Sequence, residues 1–367
     1  MMTVDAFEST TTDEVLLYQG TGLFLFIIVT IAALPVRAAS ALKRYTPFQA
    51  TIVFVILLSL ALQFHGPEVL ILEGITYTLA LFFVISCISA VWTMRPDALA
   101  TCLGGISVVL LAFGICAIAV FGWPEDRMVG GIHPNAFGGI MLAAFVFSQF
   151  CEGIVMIGLR VACLILAAAV SSRFALIGCL LAFLVFELTS RPFSPRLALL
   201  ALAGAIGLML FPDLLKGLLA LDSPDRGLDS GFTGRDVQWS MAFEAIADAP
   251  FGLGFKRPIV EDAGHNGYLR WLEEFGVVGG GLMIASMIST VVIAVMDASL
   301  LSAADNRLYR LASARAAGLV AMTFASFFQP QLFNLGDMHG LTVMLLLFSP
   351  KFTPGNRPKH RANNRAA

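Results

Sequence analysis

The sequence predicts an all-α, polytopic integral membrane protein. Hydrophobic residues make up 58% of its 367 residues and charged residues only 13%. The mean hydropathy is +0.84. Apolar runs of bilayer-crossing length recur along the chain. Soluble globular chains carry about a quarter charged residues, so a soluble enzyme is excluded as the default. Disorder is excluded on the same grounds. A net charge of −2 with no basic stripe argues against a nucleic-acid partner.

A bilayer core takes about 20 apolar residues per helix. Residues 15–35, 48–64, 69–94, 99–121 and 135–158 each fit one span. Residues 159–188 are too long for one and too short for two full ones. They are interrupted by Ser171, Ser172 and Arg173, so a short helix, a turn at the membrane face and a second helix are expected. Residues 197–211, 275–296, 311–329 and 340–350 give further spans. The total is about eleven. Residues 212–264 form the one long polar segment, rich in Asp, Gly and Pro, with room for short helices. The hydrophobic pattern holds no internal repeat, which weakens a transporter reading.

The first fourteen residues hold Asp5, Glu8, Asp13 and Glu14 and no Lys or Arg, so no cleavable signal peptide is expected there. The six cysteines, Cys87, Cys102, Cys116, Cys151, Cys163 and Cys179, lie in apolar runs without CxxC spacing. They read as thiols buried against lipid or against other helices, not as metal ligands or disulfides.

Orientation follows from Lys and Arg in short loops. One set of alternating loops holds Arg37, Lys43, Arg44, Arg95, Arg160, Arg191, Arg196, Arg307, Arg310 and Arg315, and the C-terminal tail is basic. The opposite set holds Arg127 and Arg173. This bias puts the C-terminus in the cytoplasm and, with an odd helix count, the acidic N-terminus outside. Residues 122–134, Arg173 and the long loop then share the outer face, which suggests one site there.

The strongest chemistry lies between Thr233 and Gly281. Thr233 and Asp236 have capping-box spacing, so a helix is expected from Arg235 to about Ala247. It would align Arg235, Trp239, Phe243 and Ile246 on one stripe. Such a helix would lie on the membrane face and hold Arg235 near the lipid headgroups, where it either merely snorkels or serves a site. Pro250, Gly252 and Gly254 end it with a tight reversal. His265 and Asn266 then stand at the start of a helix containing Tyr268. A helix start suits an anion, and histidine can accept or donate a proton near neutral pH. Arg270 and Glu274 have the spacing of an ion pair. Gly276 and Gly280 form a GxxxG pair suited to close helix packing.

Arg173 stands at the edge of a broken apolar segment, where an arginine is costly unless it is used or snorkels. His133, Pro134 and Asn135 make either a simple helix start or a binding turn. Gln329, Gln331, Asn334, Asp337 and His339 in the last outer loop have amides and an acid that suit sugar hydroxyls. Glu73, Glu152 and Glu187 lie in or near apolar spans without a cationic partner close in sequence, and read as structural.

The ordered set Gly131-x-His133-Pro134-Asn135, Ser172-Arg173, Thr233-Gly234-Arg235 with Trp239, Pro250-x-Gly252-x-Gly254, and His265-Asn266-x-Tyr268-Leu269 with Glu274-x-Gly276 resembles the O-antigen ligase and polymerase superfamily, exopolysaccharide polymerases included. The resemblance covers roughly residues 120–285. It implies a type C glycosyltransferase-like fold, with about 11–12 transmembrane helices around one long periplasmic loop, 212–264. The chain would form a single membrane domain of the bacterial inner membrane. The resemblance also implies transfer of a glycan from an undecaprenyl-diphosphate carrier on the periplasmic face, without metal or other cofactor. Arg173 and Arg235 would hold the diphosphate, and His265 and Arg235 would stand at the transfer centre. Glycan or acceptor contacts would fall among His133, Asn135, Trp239, Asn266, Tyr268, Asp337 and His339. Expected partners are the lipid-linked oligosaccharide donor, a glycan or lipid A–core acceptor and membrane lipids, with room for a chain-length regulator. Family members usually have about a dozen spans and a cytoplasmic N-terminus, which the span count here does not reproduce.

A transporter or flippase of lipid-linked glycan is the alternative. It would need charged residues along a path across the membrane, whereas the candidates here gather at one face. A scaffold would tolerate the loss of Arg235 and His265.

Overall fold

A computed structural model describes residues 46–62, 80–92 without 82 and 89, 96–190 without 125 and 126, 235–254, 265–301, 306–329, 332 and 337–349. The expected spans 15–35 and 197–211, most of 69–94, and much of the polar segment lie outside the described residues. So do Thr233, Gly234 and Gly264.

The described residues form helices: α1 (Pro47–Leu62), α2 (Pro96–Phe121), α3 (Pro134–Ser148), α4 (Ile154–Ala169), α5 (Arg173–Ser190), α6 (Arg235–Asp248), α7 (Gly267–Leu301), α8 (Asn306–Ala325) and α9 (Met338–Leu347). Among them α2, α5 and α7 are long and apolar enough to cross a membrane. The architecture is the expected all-α membrane bundle.

Several expected spans have other bounds. Residues 135–158 are not one helix, because α3 stops at Ser148 and α4 begins at Ile154. The break is held by side chains distant in sequence. Arg160 donates to the Ser148 and Cys151 carbonyls, at 2.7 and 3.0 Å. Arg310 donates to the Phe150 carbonyl at 3.2 Å and pairs with Glu152. Glu152 therefore has a cationic partner on α8. The turn expected at Ser171–Arg173 is present, with α4 ending at Ala169 and α5 starting at Arg173. The last expected span is the ten-residue α9, about 15 Å long and so about half a bilayer core.

Arg160, Arg310 and Arg315 sit within helices, not in loops. Arg315 is 4% exposed and donates to the Leu346 carbonyl at 3.0 Å. Each arginine meets carbonyls at or just past a helix C-terminus, where backbone acceptors and the helix dipole favour a cation. Counting Arg315 as a loop charge overstated the bias. The end of the bundle that holds these contacts also holds Gln49, which donates to the Leu347 and Ser349 carbonyls.

The core packs α3 against α2, α4 and α5, and α8 against α5 and α7. Small residues allow close approach. A Cβ on Gly178 would lie 2.9 Å from Leu142, and one on Gly318 would lie 2.6 Å from Val146. Cys87, Cys163 and Cys179 are buried among helices, Cys151 is half-buried, and Cys102 and Cys116 are exposed on the outside of α2.

Candidate functional site

Helix α6 runs from Arg235 to Asp248, within one residue of the expected end. Ala242 and Ile246 are buried with Leu269 of α7, and Trp239 and Leu272 pack against them. Phe243 is 57% exposed, so the stripe divides between an outward-facing Phe243 and the Trp239 and Ile246 that pack on α7. The packing face is rotated toward Ala242, because α7 covers that side.

The loop after α6 is fixed to a break in α7. Leu253 and Gly254 donate to the carbonyls of Glu273 and Glu274, at 2.8 and 3.0 Å, and Val277 donates to the Pro250 carbonyl at 2.9 Å. Gly276 has φ 72° and ψ 175°, a conformation essentially restricted to glycine. Gly252 faces it with φ 87°. A Cβ on Gly252 would lie 2.5 Å from the Glu274 carbonyl oxygen, and one on Gly276 would lie 2.4 Å from the Pro250 oxygen. The two glycine motifs are thus halves of one backbone joint. Gly276 packs against a loop, not against a neighbouring helix as GxxxG spacing suggested. Gly280, the other member of that pair, approaches the backbone of Trp271 and Leu272 across the bend.

At the other end of this joint, His265 adopts φ 58°. The left-handed region costs a non-glycine residue about 1–2 kcal/mol. Asn266 then caps α7, its Oδ1 accepting from the N–H groups of Tyr268 at 3.0 Å and Leu269 at 3.3 Å. Gly267 N donates to the Ser326 carbonyl at 2.9 Å, and the Tyr268 hydroxyl donates to the Thr323 carbonyl at 2.6 Å. These bonds pin the His265 segment to the end of α8. The expected Arg270–Glu274 pair is formed at 2.9 Å. Asn266→Ala removes a cap that serves two N–H groups, so it should cost about 1–2 kcal/mol and lower the thermal midpoint in detergent. An unchanged midpoint would contradict the capping role.

Arg235 opens α6 with its guanidinium over the Phe328 ring, 5.5 Å from the centroid. Phe328 in turn packs on Phe324, at 5.4 Å between centroids. Sequence reasoning missed Phe328, since nothing in an apolar run distinguishes the ring that will meet a cation 93 positions away. Next to Phe328, the Gln329 side chain reaches the Asn135 carbonyl at 3.5 Å. A Cβ on Gly267 would meet the Gln329 carbonyl at 2.8 Å. His133 caps α3, its Nδ1 accepting from Asn135 N at 3.2 Å. One turn into α3, a Cβ on Gly138 would collide with Ser172, the neighbour of Arg173. Contact by contact, the structure brings the starts of α3, α5, α6, α7 and α9 and the end of α8 to one end of the bundle. Arg173, Arg235 and His265 all belong to it. So do the left-handed non-glycine residues among those described, Arg127, Ser171 and His265. Backbone strain of this kind gathers where the surrounding structure holds a site.

His133, Asn266 and Asp337 also serve as helix caps, and Tyr268 as a packing residue. Asp337 accepts from Gly340 N at 3.1 Å. Burial pushes its carboxyl above the ordinary value, against the N–H groups of Gly340, His339 and Met338, which pull it down.

Residues 158–284 match the O-antigen ligase family. The matched segment is about a third of the chain, running from within α4 into α7. It contains Arg173, Arg235, Trp239, His265, Asn266 and Tyr268. Over that segment the chain is similar to the O-antigen ligase family, which supports the resemblance to the O-antigen ligase and polymerase superfamily. Comparison with curated proteins gives no match. His133, Asn135, Asp337 and His339 lie outside the family segment but at the same end of the bundle.

Proposed function

We propose that this protein transfers a glycan from an undecaprenyl-diphosphate carrier at the periplasmic face of the bacterial inner membrane. It acts as a polysaccharide polymerase of O-antigen or exopolysaccharide type, or as an O-antigen ligase. The observation that carries this reading is the gathering of Arg173, Arg235 and a left-handed His265 at one bundle end, inside the family-matched segment. The whole chain serves as one membrane domain, with its basic C-terminus in the cytoplasm.

In this reading the diphosphate lies against Arg173 and Arg235. A guanidinium donates two parallel hydrogen bonds to phosphate oxygens, which stabilises charge as the glycosidic bond breaks. His265 takes the proton of the acceptor hydroxyl. The hydroxyl oxygen forms the new bond to the anomeric carbon, and the carrier diphosphate leaves with the bonding electron pair. Direct displacement inverts the anomeric centre. The arginines supply the charge stabilisation, so no step is routed through a metal.

Deletion of the gene, followed by sizing of the glycan on the carrier, tests this reading. Single repeat units without long chains identify a polymerase. Full-length chains stranded on the carrier, with none on lipid A–core, identify a ligase. An unchanged distribution contradicts both.

A further inference from the structure

Helix α9 is bonded to α8 near both of its ends. At the end nearer the site, His339 Nε2 lies 3.1 Å from the Ser326 hydroxyl, and both side chains are buried. At the far end, Arg315 Nε donates to the Leu346 carbonyl at 3.0 Å. Arg315 and Ser326 stand about 16 Å apart along α8, whereas His339 and Leu346 stand about 10 Å apart along α9. The arginine and histidine side chains make up the difference. Between the two bonds the helices are in close contact: a Cβ on Gly318 would lie 2.8 Å from the Leu346 side chain.

Capping alone does not account for Arg315. The last carbonyls of α9 have neutral donors. Trp92 donates to Leu345 at 3.1 Å, Gln49 to Leu347 at 2.6 Å, and the Ser349 hydroxyl to Leu346 itself at 2.8 Å. Leu346 therefore has a partner without Arg315. A buried guanidinium is a costly second donor, although the negative end of α9 offsets part of that cost. Asp297 of α7, also buried, acts on the same charge. Arg315 thus links both α9 and α7 to α8.

The other end of α9 bears on the site through Ser326. The Ser326 carbonyl accepts from Gly267 N at 2.9 Å, just past His265 in the chain. Phe328, just past Ser326, lies under the Arg235 guanidinium. Ser326 therefore stands between the segment that carries His265 and the ring that carries Arg235. We propose that Arg315 is a positioning residue of the transfer site. By fixing α9 along α8 it holds His339 against Ser326, and so sets the spacing of His265 and Arg235. The inference rests on the transfer reading above. Arg315 touches none of the reacting groups in that reading and acts only through α9.

The test uses the full chain in lipid nanodiscs, with a polyprenyl-diphosphate-linked saccharide and an acceptor glycolipid. Arg315→Met alone would leave Asp297 without this cation, so it is combined with Asp297→Asn. Replacing both members of a buried charge pair by uncharged groups is often tolerated, and the double variant should keep the parental yield and thermal midpoint. Its kcat should fall roughly tenfold or more, since a 1 Å misplacement can cost ~100-fold. Its KM should stay within about threefold of the parent, because no substrate contact is lost. Arg315→Lys keeps a charged donor and should retain most of the parental kcat. Ser326→Ala cuts the bond at the other end of α9 and leaves both charges in place, so it should lower kcat similarly. The triple variant should be no slower than either, because both bonds serve one tether. Amide exchange across residues 338–347 should rise about tenfold or more in the double variant. Parental kcat in the double variant or in Ser326→Ala, or effects that multiply in the triple variant, would overturn the proposal. Absence of transfer by the parent protein would instead overturn the transfer reading. Amide exchange then judges the tether by itself, and an unchanged rate in the double variant overturns it.

Discussion

Arg235→Ala should reduce glycan transfer by at least roughly 100- to 1000-fold, the usual effect of losing one group that stabilises transition-state charge. Protein should remain in the membrane at its normal level. Arg235 is the first residue of α6, and its described ring contact is with Phe328. Loss of a cation–π contact costs about 0.5–2 kcal/mol, too little to unfold a membrane bundle. A factor of 1000 in rate corresponds to about 4 kcal/mol. The two effects are thus separable by measuring protein level beside activity. Arg235→Lys keeps the charge but not the planar fork, so it should recover only part of the activity. His265 needs a different control. Its φ of 58° penalises alanine as well as removing the imidazole. Asparagine tolerates that backbone, so His265→Asn isolates the chemistry and should be as inactive as His265→Ala.

Gly276→Ala should be the most damaging single-methyl change among the described residues of α7. Its φ and ψ fall where a side chain costs about 1–3 kcal/mol. The added carbon would also lie 2.4 Å from the Pro250 oxygen. That neighbour is backbone, tied to Val277 by a hydrogen bond, and cannot swing aside as a flexible side chain could. The expected result is loss of folded protein, or a protein that has lost the α6–α7 joint and with it the placement of Arg235 relative to His265. Gly281→Ala, five residues on, has open space around its Cβ and should behave as the parent. Equal yields and equal transfer by Gly276→Ala and Gly281→Ala would show that the joint is not needed.

The features legible in the sequence are the local ones. Proline at 250 and the glycines around it gave the end of α6, and i,i+4 spacing gave the Arg270–Glu274 pair. Ser171–Arg173 gave the turn between α4 and α5. What was illegible depends on contacts between distant positions. Glu152 finds Arg310 only because α8 returns beside the α3–α4 turn. The Gly252–Gly276 joint spans 24 positions, and GxxxG spacing offers a simpler but different partner. His133 and Asn266 look like ligand groups and helix starts at once. In the structure both serve as caps, because the first N–H groups of a helix have no backbone partner.

In the proposed function, Arg173, Arg235 and His265 form one transfer site for a diphosphate-linked glycan. Purified protein in nanodiscs, given a polyprenyl-diphosphate-linked saccharide and an acceptor glycolipid, tests it most directly. Release of polyprenyl diphosphate should match new glycosidic bonds one for one, and Arg173→Ala, Arg235→Ala and His265→Asn should each abolish both. Transfer at parental rates by the three variants, at equal protein levels, would contradict it.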